Sequence, residues 1–270
     1  MKRFTKVLTG IALILFGIGC ALIVVGKNRI DTSIFKATPE YHGSFTESTL
    51  EDVERISISV PYGYVIMEQT DEETVQYGMK NVKEKQLHIK ESAGEFSITA
   101  EPEEKAIYIG GKEMLYPELI EGTLTEDMPV YYIGVPEGYE GSIQVLLDAG
   151  QVKMNGIEAN MLTALVSFGE IRLEQVEVLA ASLECNVGRI VAEGDFESMF
   201  FGEVALGALE LALEDAKENY EIQAECGMGN MVIGEEHHSG VSLKENESKI
   251  NSKTLELQVK AGRMEVEFEK

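Results

Sequence analysis

At 270 residues with 44% apolar side chains, the chain can bury a sizeable core, which excludes disorder as its main state. Its 47 acidic residues outweigh 23 basic ones, and the resulting formal charge of −24 repels nucleic acid and anionic lipid headgroups. Three cysteines are too few for a disulfide framework, which a domain of this size does not need.

Lys2, Arg3 and Lys6 lead into residues 7–26, an uncharged and mostly apolar run that Lys27 and Arg29 close. Twenty such residues, at about 1.5 Å rise each, span a hydrocarbon core of roughly 30 Å. A cleavable signal peptide has a shorter apolar region, about 7–15 residues, ending on a small-x-small site, and neither feature is present. Gly17-Ile18-Gly19-Cys20 departs from a lipidation site because the chain stays apolar through Val25. The run is therefore expected to be an uncleaved transmembrane helix, with a cytoplasmic tail at 1–6 set by the basic flank. Residues 27–270 are then expected outside the cytoplasm, where 20 basic and 47 acidic residues amount to a formal charge of −27. Gly17 and Ala21 form a small-x-x-x-small pair of the kind that lets helices approach closely.

After a linker at 27–45, apolar residues alternate through Ile56, Ile58, Val60 and Tyr62 to Gly63, then on to Val65 and Met67. From there to Gly141 the pattern loosens into short strand-like runs at 87–89, 96–100, 107–109 and 131–135, read as irregular coils and surface loops. A glycine then recurs every nineteen residues, at Gly150, Gly169, Gly188 and Gly207. Apolar residues stand seven, five, three and one positions before it and two and four positions after it. The second unit, for example, has Leu162, Ala164, Val166 and Phe168, then Ile171 and Leu173. Two further copies centre on Gly229 and Gly262.

A period of two is a strand with one face buried, and the buried parity flips across each glycine, so the chain turns a corner there. Glycine tolerates the backbone angles of such a corner. A second flip before Val176 and Val178 implies a third face. These features predict an all-β domain over 46–270, a β-solenoid of about nineteen residues per coil. The polar stretches 214–219 and 234–253 are expected to be loops. The last strand, 264–270, is expected at an exposed edge, guarded by Glu265, Glu267 and Glu269. Cys185 and Cys226 share one column, and in chain order they fall two coils apart. That is beyond disulfide reach, so both should be free, buried thiols.

Ile56-x-Ile58-x-Val60-Pro61-x-Gly63-x-Val65, Ile133-Gly134-Val135-Pro136 and the repeated Gly-x-apolar-x-apolar units together resemble a family of bacterial domains of unknown function. Its members are described as candidate adhesins with a β-helical repeat, commonly behind an N-terminal membrane helix. The resemblance covers about 46–270. It implies interaction at the cell envelope and brings no catalytic residues with it.

Sequence signatures of catalysis are missing. There is no Gly-x-Ser-x-Gly, no His-Glu-x-x-His and no phosphate loop around Gly110-Gly111-Lys112. His237 and His238 follow Glu235 and Glu236 in what reads as an exposed polar loop, with no further metal ligand at a helpful spacing. Glu101-Pro102-Glu103-Glu104 reads as a solvated turn rather than a calcium loop. No catalytic, cofactor-binding or metal site is expected. The chain reads as a membrane-anchored, non-catalytic interaction module for an envelope protein or surface polymer. Two alternatives stay open: a regulatory subunit of a membrane or envelope-stress system, and a polysaccharide-acting β-helix enzyme.

Overall fold

The computed structural model describes residues 39, 41–49, 52–82, 87–101, 106–109, 112–115, 128–247 and 252–269. The expected tail, the membrane helix at 7–26 and most of the linker lie outside the described residues, as do Pro102–Glu104. Among the described residues no helix is long and apolar enough to cross a membrane. The chain divides into residues 1–37 and 38–270, and all described residues belong to the second unit.

Among the described residues that unit is all-β apart from one 3-10 turn at Lys217–Asn219. Strand β1 is Thr46–Glu47, β2 is Arg55–Thr70, and β3 is Gln76–Lys80. The hairpin strands β4 and β5 are Leu87–Ser92 and Glu95–Ala100, and β6 and β7 are Ala106–Ile109 and Lys112–Leu115. Next come β8 at Val130–Pro136 and β9 at Ser142–Asn155, then β10 at Glu158–Leu213, which winds through successive coils without a break. The chain closes with β11 at Tyr220–Ile233, β12 at Glu236–Glu247 and β13 at Lys253–Phe268. The runs expected at 87–89, 96–100, 107–109 and 131–135 fall on β4, β5, β6 and β8.

Parallel pairing in strict register makes the solenoid. Gly63 pairs with Gly150, and Gly150 with Gly169, while Ile56, Ile143 and Leu162 line up seven positions earlier. At each corner the glycine has φ between 127° and 146°. A Cβ on Gly169 would lie inside contact distance of the Gly150 carbonyl oxygen, and one on Gly188 would meet Gly169 in the same way. Conformation and close backbone stacking therefore both demand glycine, and this is what fixes the nineteen-residue recurrence. At the next corner Gly156, Gln175 and Gly194 all take positive φ and begin the third face.

Along the faces the inward columns are apolar. Two positions after the corner stand Val65, Val152, Ile171, Ile190, Leu209, Met264 and Met231, all buried. Each contributes roughly 1.5–3 kcal/mol by burial. On the third face Val176, Val178 and Phe196 are buried, and Phe196 meets Phe200 edge-on with ring centroids 4.6 Å apart.

Two expectations from chain order are overturned. Strand β13 pairs with β10 through Gly207 and Gly262 on one side, and with β11 through Gly262 and Gly229 on the other. The Gly262 coil therefore sits inside the stack, between the Gly207 and Gly229 coils, and residues 264–268 are not an edge. The edge strand is β12, antiparallel to β11, with Gly229 opposite Gly240. Most of the stretch expected as a 234–253 loop is this strand, because the open backbone edge of β11 pairs with any chain that can extend, polar or not. Cys185 and Cys226 stand three coils apart rather than two, roughly 14 Å at the usual strand spacing. Both are free and buried, as expected.

The opposite end is built differently. Strands β5 and β8 lie parallel to the two faces of β2, β4 and β3 back them antiparallel, and β1 pairs with β3. Strands β6 and β7 form a separate hairpin.

Candidate interaction surface

One column does not behave as its apolar character suggests. The residue just before each corner glycine alternates with buried neighbours, so Phe168, Leu206 and Met228 were expected inside. They point outward, 46%, 51% and 47% exposed. In these three coils the corner breaks the alternation, so the residue before the glycine faces solvent, whereas Ala149 before Gly150 stays buried. Just after the glycine, Gln151 and Glu170 are almost wholly buried, while Asn230 and Arg263 at the same position are exposed.

The outward residues stack into a ridge. In coil order it runs Phe168, Val187, Leu206, Ala261, Met228 and finally Val241 on β12, which is 74% exposed. Five strand spacings make it roughly 24 Å long. Ordinary surface apolar residues are scattered singly, whereas a contiguous apolar strip rimmed by polar groups marks contact with another molecule. The rim here is charged. Glu203 receives Lys260, and Glu225 lies 3.2 Å from the Lys244 ammonium. On the adjoining face Glu174 accepts from Lys153 at 3.0 Å, and Arg263 pairs with Glu265.

Beneath the ridge, Glu170 is 0% exposed and bound on both oxygens. Arg172 donates to one at 2.7 Å, and Arg189, from the next coil, donates to the other at 2.7 Å. Satisfied charge-assisted bonds make this a structural tie between coils, not a reactive carboxylate. The cysteines are equally unsuited to chemistry: burial pushes the Cys185 thiol up to about 12 and raises that of Cys226 as well. A shallow cleft of about 690 Å³ near the β8–β9 turn collects Asp52, Glu54, Glu73, Glu137 and Glu140, and there the Tyr139 hydroxyl donates to the Ser142 carbonyl at 3.1 Å.

His237 and His238, expected in a loop without a third ligand, lie in β12. Past the Gly240 corner the same strand brings Glu245 back beside His238, 3.5 Å from its Nε2. Glu101 keeps an exposed place 3.6 Å from the His88 ring.

Residues 53–199 match the family model described as Toastrack DUF4097. No curated protein matches. A solved structure of a candidate cell adhesion protein from Clostridium sporogenes ATCC 15579 aligns over 84% of this chain and 98% of its own, at 12% identity and a TM-score of 0.38. With more than half of its length matched by the family model, the chain belongs to the Toastrack DUF4097 family.

Proposed function

We propose that the chain is an extracytoplasmic, adhesin-like interaction module without catalytic activity, held to the membrane by residues 7–26 and docking an envelope protein through its apolar ridge. The single observation that carries this reading is the apolar column from Phe168 to Val241, exposed at Phe168, Leu206, Met228 and Val241 and half-buried at Val187 and Ala261. A protein partner fits it better than a polysaccharide, because sugar-binding surfaces rely on aromatic platforms. The ridge has one aromatic ring, and the chain has no Trp. The rim alternates carboxylates with the ammonium groups that pair with them, which favours a partner whose apolar groove is bordered by charges of both signs.

A photo-crosslinking residue placed at Leu206 in living cells should give a protein adduct that is absent when the probe sits at Glu210, and Phe168→Glu with Met228→Glu should abolish it. Adducts to a glycan polymer, or none at all, contradict the proposal. Protease added to intact cells should remove residues beyond 45, whereas cleavage only after the membrane is opened contradicts the assigned side. A regulatory subunit acting through the bilayer is separated by replacing 7–26 with an unrelated membrane helix. Function survives that swap in a docking module and fails in the regulatory subunit.

A further inference from the structure

The inward registers of β12 break the apolar pattern that the faces of the Gly150 to Gly262 coils follow. Opposite Met231 stands His238, opposite Ile233 stands Glu236, and opposite Ala224 stands Glu245. These three side chains, from the two arms of a strand bent at Gly240, offer ligand atoms that all lie within 4.8 Å of one another. His238 Nε2 is 3.5 Å from one Glu245 oxygen and 4.0 Å from one Glu236 oxygen. It is itself a buried nitrogen that makes no hydrogen bond. The other Glu236 oxygen is held by the Lys217 ammonium at 3.0 Å, which orients the carboxylate and leaves its second oxygen directed at the imidazole.

We infer that Glu236, His238 and Glu245 form a binding site for a divalent transition-metal ion of the zinc class, clamping the two arms of β12 across the end of the solenoid. Zinc bonds to imidazole nitrogen and carboxylate oxygen are about 2.0–2.2 Å, so tetrahedral neighbours stand about 3.4 Å apart, close to the two distances above. With the proton on Nδ1, His238 Nε2 presents a lone pair, and two carboxylates with one neutral imidazole balance a doubly charged ion. A pure oxygen cation such as calcium would leave that nitrogen unused. His237, on the opposite face of the strand, takes no part.

The full-length chain in detergent, stripped with chelator, is titrated with zinc and with cobalt as a spectroscopic reporter. One equivalent should bind, with the visible bands of tetrahedral cobalt and a rise in Tm. His238→Ala and Glu245→Gln should lose the equivalent, the bands and the Tm rise, while melting in chelator like folded protein. His237→Ala should keep all three. Absence of a saturable equivalent, or an equivalent that survives His238→Ala and so belongs to the general acidic surface, overturns the assignment.

Discussion

Away from the corners, the inward columns between the Gly150 and Gly262 coils carry apolar side chains or glycine, whereas β12, on the outer side of the Gly229 coil, sets Glu236, His238, Leu243, Glu245 and Glu247 in the same registers. The difference follows from neighbours. A coil covered on both sides fills its faces with apolar groups, because a charge there has no water, and the buried carboxylate at one corner, Glu170, is held by two arginines. A terminal strand has one covered side, so its inward positions can be charged, and charge there stops further coils from adding.

Substitutions that treat the two regions alike should give unlike results. Ile171→Asp places a charge in the middle of a buried column and should abolish folding. Leu243→Asp, the nearest equivalent in β12, should cost about 1 kcal/mol. Circular dichroism and urea unfolding of the pair check this, and an Ile171→Asp protein that melts like the parent contradicts the column packing. Next in size, Gly188→Ala combines positive φ with a clash on the Gly169 carbonyl and should cost more than about 3 kcal/mol. At Gly240, with φ 146° but only the Leu243 side chain nearby, at 3.8 Å, the same change should cost about 1–2 kcal/mol.

The ridge sets a third contrast. Val204→Glu and Leu206→Glu differ by two positions, yet the first should unfold the coil and the second should leave Tm unchanged. The smallest effect is on pH dependence. The Cys185 thiol ionises near 9 in the unfolded chain and only at about 12 in the fold, so unfolding is favoured as pH rises between those values. Cys185→Ala should flatten that part of the stability curve relative to the parent.

The coil period was legible because one steric demand, a glycine under the next glycine's backbone, repeats at every turn. Coil order was not, since all copies share the same apolar columns and any of them would stack on any other. Only the pairing of Gly262 with both Gly207 and Gly229 reveals that the last strand returns to the interior. Phe168 and Leu206 were misplaced because apolar character argues for burial, while their orientation is set by the corner geometry. The His238 cluster is not legible in the sequence because Glu245 meets it only across the Gly240 bend. A search for ligands on both arms of a glycine-centred unit would have found it.

The insertion of β13 into the stack is tested most directly by paired cysteines on the outward positions three residues after the corner, in a chain whose native cysteines are alanine. Glu210 and Glu265 are register partners, as are Glu265 and Val232. Oxidation should therefore cross-link Glu210→Cys with Glu265→Cys, and should fail with Glu210→Cys and Val232→Cys, which stand about 9.6 Å apart across the intervening coil. A disulfide between positions 210 and 232, with none between 210 and 265, would place the coils in chain order and contradict the fold described above.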